Sequence, residues 1–408
     1  MALSLDKIGC VSEIKIKVLY ILNSTLEYGG ATKSFLLMLK GVMDYGVNPI
    51  VVVPDANGVT TTLQQMGIRV VVVPFRMNAY PPVECVKDFL LFIPRLIGRL
   101  SLNTLAVRKL RKIFMGEKLY IVHSNVSVID IGIRLSELLH VPHIYHIREY
   151  GDKDFGYHHF PCRESYLRKL RKDGCWSIFI TKALKSYYEM DSNPTSSVIY
   201  NPIYSSSYAV VNEMKKPYFL YAGRLDRGKG VFDLIKAYII YKSHVSNPLH
   251  LYIAGDSNSE DKVMIGSMVK EEQIEHLVSF LGYREDLDLL MQEATAIIIP
   301  SYNEAFGRCL TEAMFNGCLT IGRDTGGTRE QYDNGKELIG REIGLRFSTV
   351  EELAVCMNDV SNMPKCQVSQ MINDAQKVVT ELYSIENNVK EVIRLYDNIK
   401  YVNSTVFH

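Results

Sequence analysis

Short apolar runs alternate along this chain with longer stretches in which apolar residues return every three or four positions. IKVLYILNS (16–24) stays apolar until its polar end, the pattern of a strand buried on both faces of a parallel sheet. A helical spacing follows, with Phe35, Leu36, Leu39 and Val42 on one side. PIVVVP (49–54), IRVVVVPF (68–75), YIVHSN (120–125), HIYHIRE (143–149) and SVIYNPI (197–203) read as further buried strands. A polar, Ser-rich stretch (205–217) interrupts the pattern and reads as a linker, after which the alternation restarts. YFLYAGRL (218–225), HLYIAGD (250–256), VSFLGY (278–283), AIIIP (296–300) and CLTIGRD (318–324) are strands, with helical segments VFDLIKAYIIYK, KVMIGSMVKEEQI, REDLDLLMQEA and RCLTEAMFNG between them. From Val350 the pattern is helical to the end. Alternation of this kind predicts α/β architecture with two doubly wound, Rossmann-like domains. The predicted domains are 1–205 and 206–380, with 381–408 a final helix crossing back to the first domain. Ligands of such sheets bind beyond the carboxyl ends of the strands, so the expected site is a central cleft that both domains face.

Composition narrows the classes. The 408 residues suffice for two or three domains, and 47% hydrophobic with 22% charged residues fits a globular chain with sizeable cores. A net charge of +1 implies no polyelectrolyte partner and excludes nucleic acid. Eight cysteines, Cys10, Cys85, Cys162, Cys175, Cys309, Cys318, Cys356 and Cys366, are scattered without a C-x-x-C pair. That pattern argues against a zinc site or disulfide framework and for a reducing, cytoplasmic compartment. Asp6, Lys7, Glu13, Lys15 and Lys17 interrupt any apolar leader. No apolar run approaches the roughly 18–20 residues that span a bilayer.

The chemistry gathers around AIIIPSYNEAFGRCLTEAMFNG (296–317). A strand stops at Pro300, a polar loop follows, and a helix begins near Phe306–Gly307 and ends at the helix-stopping pair Asn316–Gly317. Glu304 in the loop and Glu312 in the helix frame it, with seven residues between them. A helix N-terminus carries unpaired N–H groups and partial positive charge, which suits a phosphate. Gly223-Arg-Leu-Asp-Arg-Gly228-Lys229-Gly230 nearly spells the phosphate loop G-x-x-x-x-G-K-[ST], but Gly230 replaces the hydroxyl that would hold magnesium, so an NTPase is rejected. Arg224 and Lys229 still bracket a glycine-bearing loop at a strand end, a sensible cradle for a diphosphate. Gly29–Gly30 sits at another strand-to-helix turn, where backbone can approach a ligand closely or simply make a tight turn. No dinucleotide fingerprint G-x-G-x-x-G and no Gly-x-Ser-x-Gly elbow appears, so a dehydrogenase and a hydrolase triad lack support. His123 and His146 both fall at strand ends of the first half.

One segment stands apart. Residues 87–118 carry Lys87, Arg95, Arg99, Arg108, Lys109, Arg111, Lys112 and Lys118 against Asp88 and Glu117, together with FLLFIPRLIGRL. A second basic, aromatic segment spans 163–188. Basic and apolar residues on a helix suit an anionic membrane surface, or equally a solvated face over a core.

With these residues in view, the chain resembles the retaining glycosyltransferases of the large family four, which have the GT-B fold. The resemblance rests on Gly29–Gly30, His146, Arg224 with Lys229–Gly230, Glu304-Ala-Phe-Gly-Arg, Glu312-Ala-Met, and Gly326–Gly327 with Glu330. It covers nearly the whole chain and is strongest over 218–330. The resemblance implies a nucleotide-diphosphate sugar of UDP or GDP type as co-substrate, with no cofactor and no metal. Glu312 would hold the ribose, Arg224 and Lys229 the diphosphate beside Gly223, and Glu304 with the N–H groups of Phe306, Gly307 and Arg308 the transferred sugar. Leu310 and Thr311 belong to the same donor-binding helix, and Tyr283–Arg284 lies where the family holds the base. Gly29 and Gly30 would close over the diphosphate, and His146 would stand near the sugar. His146, Glu304, Arg224 and Lys229 would be the catalytic group. Retention by same-face internal return is favoured over a covalent intermediate, because no carboxylate is clearly placed as a nucleophile. The expected activity is hexosyl transfer to a glycan or lipid-linked acceptor in cell-surface polysaccharide or glycolipid synthesis, at the cytoplasmic face of a membrane. A nucleotide-sugar epimerase on the same fold is the alternative.

Overall fold

A computed structural model describes residues 16–26, 29–80, 83, 85–210, 212, 214–256 and 259–406. Cys10 and the charged N-terminal residues Asp6, Lys7, Glu13 and Lys15 lie outside them, as do two positions of the expected linker, 211 and 213. Described residues divide into two compact units, one drawn from Met1–Pro202 and Ile385–His408, the other from Ile203–Ser384.

The first unit holds a sheet of β1 (Ile16–Ile21), β2 (Val47–Val53), β3 (Arg69–Val72), β4 (Ile121–Ser124), β5 (His143–Ile147), β6 (Cys175–Phe179) and β7 (Ser196–Val198). The strands are all parallel, in the order β3-β2-β1-β4-β5-β6-β7. Winding therefore reverses between β1 and β4. Alternate residues of β1 feed opposite layers. Val18 and Tyr20 pack with Phe35, Leu39, Val392 and Tyr396. Leu19 and Ile21 pack with Val107, Leu110, Ile131 and Leu135. Burial on both faces is why the strands read as unbroken apolar runs. The C-terminal helix Ile385–Val406 lies against the helix Gly30–Met43 in this unit, so closely that a Cβ on Gly41 would overlap the Val389 side chain.

The second unit holds β8 (Lys216–Ala222), β9 (His250–Ala254), β10 (Val278–Gly282), β11 (Ala294–Ile299), β12 (Leu319–Arg323) and β13 (Leu345–Phe347). This sheet is also parallel, in the order β10-β9-β8-β11-β12-β13, and reverses between β8 and β11. Its covering helices include Val231–His244, Arg308–Phe315, Gly326–Ile339 and Val350–Asn362.

Several elements differ from the sequence reading. The basic segment 163–188 conceals β6, whose CWSIF core is fully paired with β5, because flanking charges masked a short run. The strand expected over 197–203 is paired only over Ser196–Val198. β13 is three residues long and carries no periodicity to read. The tail from Val350 forms three helices, Val350–Asn362, Lys365–Leu382 and Ile385–Val406. Part of the expected linker is pinned to the second unit. Lys215 Nζ donates to the Gln292 and Gly317 carbonyls at 2.7 and 2.6 Å, and Gln376 Nε2 donates to Val210 O at 2.8 Å.

The basic segment 87–118 forms the helices Val86–Leu90 and Phe92–Phe114. The latter's second half is buried through Asn103, Ala106, Val107, Leu110 and Phe114, and its first half is held more lightly, by Arg99 Nη1 donating to Ala79 O at 2.9 Å and by Phe92 stacked on Tyr80. Among the described residues, no helix is long and apolar enough to cross a membrane.

Candidate active site

In the second unit the predicted residues converge at the carboxyl edge of the sheet, where β8 and β11 meet and the winding reverses. β8 ends at Ala222, and Gly223-Arg224 starts the next loop. Asp226 caps a single turn, Arg227–Lys229, by accepting from the Lys229 N–H at 2.9 Å. Gly230 follows at φ +70°, with a Cβ direction that would run into the Pro300 carbonyl. A residue with a hydroxyl cannot stand there, which is the structural reason for the departure from the phosphate-loop pattern. The same packing joins the two loops, and Tyr302 N donates to Gly228 O at 3.0 Å.

β11 ends at Ile299 and delivers the loop with Glu304. Lys229 Nζ lies 2.5 Å from Glu304 Oε1, with the two side chains 27% and 16% exposed. The basic and acidic groups picked out 75 positions apart thus form one ion pair. Arg224 is largely exposed and reaches Asp226 at 3.4 Å. Gly307, at φ +87°, caps the helix Arg308–Phe315. Arg308 Nη2 contacts Glu312 Oε1 at 2.9 Å one turn later. Cys309 Sγ rests against the Ala222 carbonyl at 3.5 Å, which seats the helix on β8; burial holds its thiol well above the usual range.

Leu310 and Thr311 face inward. Both are fully buried, and their N–H groups go to Gly307 O at 3.1 and 3.4 Å. The N–H groups of Phe306, Gly307, Arg308 and Cys309 precede the first bond of that turn. Tyr283 is exposed just beyond β10, two strands from β8 on the same edge, and Arg284 is paired there with Asp286 at 2.5 Å.

Two supports went unread in the sequence. Gln331 donates through Nε2 to the Phe306 and Gly307 carbonyls and accepts from Thr311 Oγ1 at 2.8 Å, so it clamps the helix entrance. Arg323, at the end of β12, donates to Pro300 O at 2.8 Å, pairs with Asp233 at 2.6 Å and lies under the Tyr302 ring at 4.2 Å. Gln331 directly follows Glu330 of the Gly326–Gly327 and Glu330 group, and Arg323 lies inside a quoted strand; neither had a visible partner along the chain.

In the first unit, Gly29 precedes the helix Gly30–Met43 at the end of β1, beside the β1–β4 reversal. His123 and His146 stand on adjacent strands with Nε2 and Nδ1 3.3 Å apart. Both are fully buried, and burial followed by the nearby Arg148 charge drives their pKa values well below the usual imidazole range. They are neutral imidazoles. Tyr396 Oη lies 2.9 Å from His123 Nδ1, and Tyr20 Oη lies 2.8 Å from Tyr396 Oη. Arg148, also buried, contacts His146 Nδ1 at 3.2 Å, Asn125 Oδ1 at 3.1 Å and Asn201 Oδ1. Glu149 accepts from Ser127 N and Oγ at 2.8 and 2.5 Å, and burial pushes its carboxyl up to about 7. Among the described residues, no cluster of three or more His, Cys, Asp or Glu could hold a metal ion.

Two parallel-sheet α/β units are the architecture of the GT-B fold, and solved structures with that fold superpose on nearly the whole chain. Residues 208–378 match the family model described as glycosyl transferases group 1. An uncharacterized glycosyltransferase of Methanocaldococcus jannaschii is 25% identical over 296 residues, 65% of this chain and 72% of that protein. Human alpha-1,3/1,6-mannosyltransferase ALG2 is 23% identical over 295 residues, 62% of this chain and 70% of that protein. Among solved structures, Anabaena HepE in complex with UDP and glucose has a TM-score of 0.71 at 18% identity, covering 94% of this chain and 100% of its own. These findings support a glycosyltransferase of the group 1 type.

Proposed function

We propose that this chain is a retaining, metal-independent hexosyltransferase that moves a sugar from a UDP- or GDP-sugar to a glycan or lipid-linked acceptor, in cell-surface polysaccharide or glycolipid synthesis. The observation that carries the reading is the Lys229–Glu304 pair beside the Gly307 helix start, at the β8–β11 reversal. Departure of a nucleoside diphosphate develops negative charge. Fixed cations and helix N–H groups stabilise that charge without reorganising as it forms. Lys229 and Arg224 take the diphosphate, Glu304 the sugar hydroxyls and Glu312 the ribose. Tyr283–Arg284 borders the base. Gly29, Gly30 and His146 are the first unit's proposed contributions, with the acceptor bound on that unit and the donor on the second.

The acceptor is proposed to be met at the cytoplasmic face of an anionic membrane. On the helices Val86–Leu90 and Phe92–Phe114 the solvent side is apolar first, at Val86, Phe89, Leu90, Ile93 and Ile97, each 58–77% exposed. The same side turns basic further along, at Arg108, Lys109 and Lys112. An apolar end to insert and a basic end for headgroups suit such a surface.

Thermal-shift screening against UDP- and GDP-sugars tests the donor, because a ligand bound only to the folded chain raises its apparent stability with concentration. Incubation of the enzyme with donor alone separates transfer from epimerisation: slow hydrolysis fits a transferase, and an epimeric sugar nucleotide refutes it. Flotation with vesicles containing anionic lipid tests the membrane part. Flotation lost in Phe89→Ser/Leu90→Ser is expected, and a wild-type chain that stays with the soluble fraction removes that part alone.

A further inference from the structure

The helix Arg308–Phe315 begins against the usual rules. A helix start carries partial positive charge, so it favours acidic residues in its first turn and disfavours cations. The helix Val350–Asn362 follows that rule: the Thr349 hydroxyl caps it, and Glu351 and Glu352 stand in its first turn. At Arg308–Phe315 the cap is Gly307 without a side-chain hydrogen bond, the first turn holds no acid, and the first residue is an arginine. That arginine reaches Glu312 one turn on, with Nη2 and Oε1 2.9 Å apart. Acid before base is the favourable order for such a pair, and here the order is reversed. Helix stability therefore does not account for Arg308. Local conflicts of this kind are expected where a residue serves a ligand instead.

The Arg308 and Glu312 side chains are 17% and 20% exposed, so the pair is largely withdrawn from water yet reachable. Residues four apart share one helix face, which sets the guanidinium beside Glu312 at the end of the helix where the N–H groups of Phe306 to Cys309 begin. Glu312 is the proposed grip on the ribose, and the ribose of a nucleotide is esterified to its inner phosphate. A carboxylate on the ribose hydroxyls thus stands near phosphate charge of its own sign, which opposes binding. A cation between the two removes that opposition. A guanidinium is planar, keeps its charge and carries five donors, so it can hold a carboxylate on one edge and a phosphate on another. We propose that the Arg308 side chain bridges Glu312 to the inner phosphate of the bound nucleotide, so that one planar group fixes ribose and phosphate together. The occupant of the site follows from the glycosyl-transfer reading, on which this inference rests. Lys229, beside Glu304, is then left to the outer phosphate, the one that bears the transferred sugar.

The test uses the full chain with UMP or GMP, whichever base the thermal-shift screen selects. The single phosphate of a monophosphate is the inner one, and its second ionisation falls near pH 6. A cation beside it favours the dianion, so the bound phosphate titrates lower. Phosphorus NMR of the bound monophosphate, followed from about pH 5 to about pH 8, reads that midpoint directly. In Arg308→Leu the midpoint is expected to rise by about one pH unit, which is a tenfold loss of affinity for the dianion. Arg308→Gln, a second neutral variant that keeps a polar side chain on the helix, should give the same rise, and Arg308→Lys, which keeps the charge, should recover most of it. Calorimetry should show the monophosphate and the diphosphate weakened alike in Arg308→Leu, by about tenfold. Lys229→Ala should weaken the diphosphate more than the monophosphate. A midpoint that does not move in the neutral variants overturns the proposal, even where affinity falls as far as in Glu312→Gln, because Arg308 then acts only as a prop for that carboxylate. A loss confined to the diphosphate overturns it too, as does a wild-type chain that binds the diphosphate and not the monophosphate. If a sugar nucleotide binds and turns over while the midpoint stays put, the bridge falls and the transferase reading survives. If no nucleotide binds the wild-type chain, the transferase reading falls and the bridge falls with it.

Discussion

Replacing Glu304 with Gln should uncouple nucleotide binding from turnover. The Lys229 ammonium is 2.5 Å from a Glu304 carboxylate oxygen. Two unit charges about 3 Å apart attract by roughly 5 kcal/mol at an effective dielectric of ~20. Most of that is offset by desolvation and screening for a pair this accessible, so the net value is about 0.5–1 kcal/mol. A nucleoside diphosphate has to draw Lys229 away from that partner. Glu304→Gln removes the competing charge at nearly constant shape, so affinity for UDP or GDP should hold or rise by about two- to fivefold. The carboxylate is also the proposed grip on the transferred sugar. Its hydrogen bonds to hydroxyls are charge-assisted, worth about 1.5–3 kcal/mol, so kcat/KM should fall by about 10- to 150-fold. Lys229→Ala should behave oppositely in the binding arm, weakening the diphosphate by about tenfold or more while also lowering turnover. Calorimetric titration with UDP and GDP, beside steady-state kinetics with the donor found in screening, reads both arms. If Glu304→Gln weakens the diphosphate as much as Lys229→Ala does, the division of labour between the two residues is wrong.

Three further outcomes follow from neighbouring geometry. Gly327→Ala puts a Cβ 2.6 Å from the Phe306 carbonyl carbon and 2.7 Å from its Cα, where backbone must yield; thermal melts should show a loss of about 1–3 kcal/mol, with weaker donor binding. Arg323→Met leaves Asp233 with the Tyr302 hydroxyl but without its cation and frees the Pro300 carbonyl, and denaturant titration should show a loss of about 2–4 kcal/mol, since the pair is mostly buried. Glu149 titrates near 7 in the folded chain against 4.5 as its ordinary value, so between those values the folded state holds the extra proton. Stability should therefore fall as pH rises from about 4.5 to about 7 and stay lower above it, by on the order of 3 kcal/mol from this group, and Glu149→Gln should flatten that part of the profile in melts at pH 5 and 8. An unchanged slope in Glu149→Gln would assign the pH dependence to other groups.

The sequence by itself determined the class of fold and the outline of the candidate site. Strands buried on both faces must be apolar at every position, so they stand out as runs, and helices on a sheet must repeat every three or four residues. Loops that approach a ligand or another loop need particular residues at fixed offsets. Gly230 and Gly307 are glycine because their φ angles and close packing exclude a side chain, and they flank the cations and carboxylates of the site. Such local constraints are written in local letters. Only the tertiary structure decided the partners. The Lys229–Glu304 pair joins residues 75 positions apart, Gln331 reaches back 25 positions to Phe306, and Tyr396 meets His123 across 273. Nothing along the chain marks these pairings, because hydrogen bonding across strand ends depends on strand order, and the reversals at β1–β4 and β8–β11 are properties of the assembled sheets. The same holds for His146. Its sequence position put it at a strand end, and its lowered pKa comes from burial first and then from a guanidinium and a second imidazole brought to it by folding.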